Sequence, residues 1–259
     1  MRVESFSIAS YNIHSSVGMD RRRSPARIAQ VLKELNCDIY ALQEVDNQPG
    51  DDEESMQLEY LSRATDMAAV PGLRIVRHTG EYGNAVLTRF PILSVRRLDL
   101  SCARWEPRGA IDLQVEIDDM PVRIIATHLG LSRSERRTQW SRLLATIAKG
   151  EPELPTLLLG DMNEWYRPAA TLQAAHRVLG KPPAPVAFPS FAPCLALTRM
   201  WMRPLQALRS LEVHRSTLTR TASDHLPVKA VIDVAKLRHL RAAAPSELRM
   251  HAGSAPSSS

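Results

Sequence analysis

Residues 158–165 read LLGDMNEW. The apolar run PTLLLG at 155–160 has the length of a short buried strand, and it breaks directly into Asp161 and Asn163. A buried strand that closes on a carboxylate needs water, a cation or a hydrogen-bonding partner at its end. The arrangement recurs in the chain: SIASYN ends in Asn12, IYALQE in Glu44 and RIIATH in His128. By strand alternation Tyr40, Leu42 and Glu44 share one face, as do Ile124, Ala126 and His128. A fifth polar cluster, Ser223-Asp224-His225, precedes the last apolar run, LPVKAVI. If that run is a strand antiparallel to the others, its start lies at the edge where they end. Five distant segments then converge on one site.

Between these runs, strand and helix patterns alternate. Strands are predicted at 6–13 and 38–44, with short β-type runs at 73–78, 84–88, 92–99, 111–117 and 122–128, and further strands at 155–160, 194–201 and 226–234. Ser24-Pro25 is a helix start with proline at the first position, and Ile28, Val31, Leu32 and Leu35 follow on one helical face. A second helix is predicted at 55–68. A third is marked by Trp140, Leu143, Leu144 and Ile147. Residues 180–193 hold five prolines and read as a long loop. Residues 1–235 form one catalytic domain in this reading. Residues 236–259 form a basic C-terminal tail, a short helix fading into a flexible AGSAPSSS end.

Composition narrows the function classes. The 259 residues are 44% hydrophobic, enough for a sizeable core. The three cysteines, Cys37, Cys102 and Cys194, are far apart and argue against a disulfide scaffold or zinc ribbon. No apolar run approaches the ~18–20 residues that span a bilayer, and MRVESFSIAS lacks an apolar leader core, so a cytoplasmic location is expected. No glycine pattern marks dinucleotide, serine-hydrolase or P-loop chemistry. The net charge of +5 invites a polyanionic partner. However, the tail carries Lys236, Arg238, Arg241 and Arg249 against Glu247, so much of the surplus lies there. Arg21–Arg23 and the group Arg133, Arg136 and Arg137 flank the site segments and fit steering of an anionic ester.

The candidate site is rich in oxygen and free of sulfur. Glu44, Asp161 and Asp224 are hard ligands or bases, and Asn12 and Asn163 are neutral oxygen donors, a set that suits Mg²⁺ or Mn²⁺ better than Zn²⁺. His128 and His225 can donate to a phosphate oxygen or act as acid or base. Each residue alone has a plain explanation as a turn, a cap or a core histidine. Their joint placement at element ends fits in-line attack of water on phosphorus.

The motifs YNIH (11–14), LQEVD (42–46), YGNAVLTRFPI (82–92), THLGLSRSERRTQ (127–139), LLGDMNEW (158–165) and SDHLPV (223–228) resemble, in that order, the endonuclease/exonuclease/phosphatase superfamily with its deoxyribonuclease-I-like fold. The resemblance covers about residues 5–234 and is strongest to compact bacterial members. It implies an α/β (α+β) four-layer α/β/β/α sandwich, two packed mixed β-sheets flanked by helices. It also implies Mg²⁺ held by Glu44 with Asn12 beside it and Asp224 near the metal. Asp161 would orient or deprotonate the attacking water, and Asn163 would hold the phosphate. His128 would donate to phosphate or leaving group, oriented by Asn84, and His225 would contact the scissile phosphate. One departure stands out. Where the family has an acid that orients the last histidine, this chain has Thr198, whose hydroxyl can accept a hydrogen bond but carries no charge. His14 stands where nucleases of the family often have an acid, and it is read as shaping the pocket.

The leading expectation is a Mg²⁺-dependent phosphoesterase acting on a phosphodiester or phosphomonoester. Nucleic acid, phospholipid headgroup and inositol phosphate all remain open as substrate, and the chain is expected to be a monomer without a stable protein partner. The alternatives are a catalytically weakened or non-catalytic phosphate-binding member, motivated by Thr198, and a membrane-surface protein using its basic tail. Trp105 and Trp165 either pack or stack on a substrate ring.

Overall fold

The computed structural model describes residues 3–48, 50, 52–72, 75–77, 80–166 and 169–242. Its two sheets face each other, with helices on both outer surfaces. The first sheet contains β1 (Ser5–Asn12), β2 (Ile39–Asn47), β3 (Ala68–Pro71), β4 (Ile75–Arg77), β5 (Gly80–Thr88), β11 (Leu208–Val213) and β12 (Val228–Asp233). Its order is β11-β12-β1-β2-β5-β3, with β4 also paired to β5. The second sheet contains β6 (Ile92–Asp99), β7 (Gly109–Ile117), β8 (Met120–His128), β9 (Thr156–Asp161) and β10 (Thr198–Arg203), in the order β10-β9-β8-β7-β6.

Alternation along the strands builds the layers. Ile8, Ile39, Ala41, Val86, Ile111, Leu113, Val115, Ile124, Leu157 and Leu159 fill the space between the sheets. Opposite-parity residues face outward to the helices. Tyr40, Leu42 and Leu87 meet α1 (Pro25–Leu35) and α2 (Gln57–Thr65), while Ile125, Leu158 and Trp201 meet α3 (Arg133–Ala148) and α4 (Ala170–Leu179). Burying one such Leu or Ile contributes about 1.5–3 kcal/mol. This is the four-layer α/β/β/α sandwich that the sequence resemblance implies.

The site owes its position to two parallel strand pairs. Each sheet has one: β1 with β2, and β8 with β9; the other pairings that build the sheets are antiparallel. A parallel pair needs a helical crossover, here α1 and α3 respectively, and it brings both C-terminal ends to the same edge. The α1 crossover starts as its sequence predicts, with the Ser24 side chain accepting from Arg27 N–H and Pro25 at the first position. The strand β12 runs antiparallel to β1, so the preceding Ser223-Asp224-His225 segment reaches that edge too.

The elements α4, β3, β11 and a one-turn helix, α5 (Thr219–Ala222), escaped the sequence reading. The α4 helix is short and amphipathic, burying only Leu172, Ala175 and Leu179. In β11, the burial pattern stays intermediate or exposed along an edge strand. Residues 180–193 carry no helix or strand, only one isolated bridge, Phe188 to Leu195. The boundary placed at 235 falls within a further helix, α6 (Val234–Ala242), whose Leu237 is buried in the core between the sheets. The flexible end expected at 243–259 lies outside the described residues. All three cysteines are free thiols. Among the described residues, no helix is long and apolar enough to cross a membrane.

Candidate active site

The first sheet contributes Asn12 and Glu44. The β2–β5 register shifts between Leu42 and Val45, so Gln43 and Glu44 both oppose Asn84 on β5. This is a β-bulge, and Glu44 sits in it at φ 60. The bulge overturns the expected shared face of Tyr40, Leu42 and Glu44. Tyr40, Leu42 and Val45 pack under the helices, whereas Glu44 Oε1 accepts from Asn12 Nδ2 at 2.8 Å, at the inter-sheet edge. A left-handed backbone at a non-glycine residue is costly, and such strain persists where surrounding contacts fix it.

Asn12 is held by His14 N–H, which donates to its Oδ1 at 3.0 Å. Because that donor fixes the amide orientation, Nδ2 faces the carboxylates and donates to Glu44 and to Asp161 Oδ2, the latter at 3.2 Å. Asn12, expected beside the metal, bridges the two carboxylates through Nδ2 in the structure. The following turn, His14–Ser16, holds three successive residues at φ 48, 52 and 60. Gln57 Nε2 donates to Ser16 Oγ within it, at 2.5 Å.

The second sheet contributes His128 and Asp161, register partners at the ends of β8 and β9. Here the expected alternation holds, since Ile124 and Ala126 lie in the core between the sheets. Asp161 is buried, and its Oδ1 accepts from Asn163 N–H at 2.9 Å, while Asn163 is bent into the left-handed region at φ 49. Burial alone would raise the Asp161 pKa. His225 and His128 nearby, with hydrogen bonds from Asn163 and Asn12, outweigh it and hold the carboxyl below its ordinary 3.8. His128 shifts downward from 6.5, chiefly through burial; Asp161 opposes this and the Arg108 charge adds to it.

Arg108 was not singled out from the sequence. Its Nη1 lies 3.1 Å from His128 Nδ1 and its Nη2 pairs with Glu106 at 3.0 Å. A guanidinium can only donate, so Nδ1 accepts, and the proton of neutral His128 resides on Nε2. Asn84, expected to orient His128, instead donates to Gly109 O at 3.2 Å, bracing the backbone next to Arg108. An arginine just before a strand, in Pro107-Arg108-Gly109, follows no apolar run, so strand-end reasoning passes over it. Asn163 Nδ2 lies 3.0 Å from His128 Nε2 and already donates to Leu129 O at 2.8 Å. Two donors thus meet with no acceptor between them, an arrangement that an anionic oxygen relieves.

The third group comes from the segment before β12. His225 Nε2 lies 3.5 Å from Asp161 Oδ2, and its ring packs on Phe188 with centroids 4.6 Å apart. Thr198 pairs in register with Asp161, and its hydroxyl makes no bond to His225: Thr198 Oγ1 and His225 Nδ1 are both buried without a partner. Asp224 accepts from Ser223 Oγ at 3.3 Å and stands 3.9 Å from His14 Nδ1 at the rim. Trp165 packs edge-on against Phe188, while Trp105 is half exposed. Arg136, expected to steer ligands, is buried and paired with Glu164.

Among the described residues, no three His, Cys, Asp or Glu side chains gather in metal-holding geometry. The donor chemistry still fits a hard divalent cation, because Mg²⁺ commonly keeps its waters and uses one or two carboxylates plus substrate phosphate. Glu44, only partly buried beside Asn12, is the carboxylate suited to that role.

The Exo_endo_phos family model, described as the endonuclease/exonuclease/phosphatase family, matches residues 9–225. The chain belongs to the endonuclease/exonuclease/phosphatase family. It is 27% identical over 250 residues to the Escherichia coli (strain K12) protein named Uncharacterized protein YbhP, covering 88% of this chain and 96% of that one. Among solved structures, an endonuclease/exonuclease/phosphatase from Bacteroides vulgatus superposes with a TM-score of 0.72 at 18% identity, over 88% of this chain and 98% of that one. A Bacteroides thetaiotaomicron mannosyl-6-phosphatase superposes with a TM-score of 0.63 at 18% identity, over 88% and 99%. At such identities these likenesses speak to the fold.

Proposed function

We propose that this member of the family is a divalent-metal-dependent phosphoesterase that hydrolyses a phosphodiester or phosphomonoester by in-line attack of water. The observation that carries the reading is the meeting of two donors, His128 Nε2 and Asn163 Nδ2, beside the buried carboxylate of Asp161. A phosphate oxygen satisfies the donor pair, and Asp161 orients the attacking water and takes its proton. The new P–O bond forms as the ester P–O bond opposite it breaks, the leaving oxygen takes a proton from solvent water, and Asp161 returns its proton to solvent. His225, against Asp161, donates to a second phosphate oxygen. Glu44 would hold Mg²⁺ or Mn²⁺, which when bound neutralises phosphate charge as a Lewis acid. Asn12 keeps Glu44 and Asp161 at fixed separation through its one amide group.

The substrate class follows from a panel assay with Mg²⁺ and Mn²⁺, spanning DNA, RNA, phospholipids, inositol phosphates and sugar phosphates. The last are included because one fold neighbour is named a mannosyl-6-phosphatase. The chain acts as a monomer in the cytoplasm in this reading. Asp161→Asn and Glu44→Gln should each lower turnover by about 10²–10⁴-fold with the fold retained. Activity that survives either change in a folded protein would refute the site.

A second reading, a weakened enzyme or non-catalytic phosphate binder, is favoured by the unpartnered Thr198 Oγ1 and His225 Nδ1. A folded wild-type chain that binds inorganic phosphate and turns over no member of the panel would establish it.

A further inference from the structure

We propose that Arg136 is a positioning residue that locks the loop after His128 to the loop after Asp161, setting the spacing of the two catalytic segments of the second sheet. The inference rests on the phosphoesterase reading above. The helix α3 starts five residues after His128 and turns Glu135, Arg136 and Gln139 inward, all three buried. Buried polar side chains are costly unless bonded. Arg136 Nη1 donates to Leu131 O at 2.6 Å and to Gly130 O at 3.2 Å, and its Nη2 donates to Glu164 Oε1 at 2.9 Å. Glu164 in turn accepts from Thr171 Oγ1 of α4 at 2.6 Å.

The two ends of this fork bear directly on the site. Gly130 and Leu131 follow His128, and Glu164 follows Asn163 in the chain. Between them, Leu129 N–H donates to Asp161 O at 2.9 Å, and Asn163 Nδ2 reaches back to Leu129 O. Gln139 adds a second grip by accepting from Gly130 N–H at 2.8 Å. The loop lies so close to α3 that a Cβ at Gly130 would fall 1.9 Å from the Glu135 carboxylate.

Stability by itself is a poor account of this cluster. A buried ion pair gives little net stabilisation over an apolar pair of similar volume, and Arg136 Nε is left without a partner. What the guanidinium supplies is direction, since its planar fork fixes the relative placement of three acceptors. A shift of about 1 Å between catalytic groups can cost about 100-fold in rate. The clamp spans the segments that carry His128, Asp161 and Asn163.

The test is Arg136→Lys in the full chain, assayed with Mg²⁺ on whichever ester the wild type turns over. Lysine keeps the charge and loses the fork. The expected result is a fall in kcat of about 10–100-fold, with KM within about threefold and a thermal midpoint near the wild type's. Unchanged kcat per folded molecule would overturn the proposal, whatever happens to the midpoint. If Arg136→Lys does not fold, Glu164→Gln takes its place, read by amide hydrogen exchange. Leu129 and Gly130 should then exchange about tenfold faster relative to Ile125, and unchanged protection would overturn the clamp. If the folded wild-type chain hydrolyses no ester at all, the phosphoesterase reading fails, and the exchange measurement alone decides the clamp.

Discussion

At the scale of single residues, the site turns on who holds each histidine. His128 receives a guanidinium at Nδ1, so its neutral form presents Nε2–H. Its folded pKa lies below the ordinary 6.5. Above 6.5 both folded and unfolded chains hold it neutral, and its stabilising contribution is fully present. As pH falls from 6.5 toward the lower folded value, only the unfolded chain gains the proton, and that contribution is lost. Denaturant unfolding of wild type and His128→Asn between pH 7.5 and 5 should therefore show the steeper acid loss in the wild type. The comparison is needed because His176, also depressed by burial, titrates in both proteins. Parallel curves would contradict the assignment. His225 is the opposite case, since its Nδ1 has no partner and Thr198 cannot supply a charge. Thr198→Asp should raise phosphodiester turnover by about 10-fold or more by orienting the ring. No gain in a folded variant would remove Thr198 as the cause of any weakness.

At the scale of elements, two backbone devices aim the side chains. The β2 bulge turns Glu44 from the helix face toward Asn12. Gly160, one residue before Asp161, adopts φ +145 and lies so close to β8 that a Cβ would fall 1.8 Å from Thr127 O. Gly160→Ala must push the parallel β8–β9 pair apart where His128 and Asp161 are in register. It should cost about 3 kcal/mol in urea unfolding and remove activity. A loss below about 1 kcal/mol would show that the strands separate easily. The apolar runs made the strands legible, because period-two burial leaves a clear trace. The bulge was not legible, because IYALQEVDN reads as uninterrupted alternation and only pairing with β5 reveals the extra residue.

At the scale of the molecule, charge and topology act together. Arg21, Arg22, Arg133 and Arg137 are exposed along segments adjoining the site, while Arg136 is internal. Steering by the exposed set predicts that kcat/KM for an anionic ester falls as ionic strength rises from about 0.01 to 0.15 M. Removing Arg133 and Arg137 together should flatten that dependence, and a salt-insensitive wild type would exclude steering.

Read alone, the chain singles out the polar residues that gather at one edge of the sheets: Asn12, Glu44, His128, Asp161 and His225 all close or adjoin apolar runs, and all but Glu44 are buried there. That is a local property, set by burial and by the need of polar groups for partners. Which of these residues touch was decided by tertiary structure alone. The parallel pairing of β1 with β2 and of β8 with β9 brings Asn12 to Glu44 and His128 to Asp161, and the facing of the two sheets brings Asn12 to Asp161. Arg108 became a functional candidate only then, and Arg136 changed from a steering charge to a positioning one, because a donor's role depends on the acceptors packed around it, and those come from strands and loops distant in sequence.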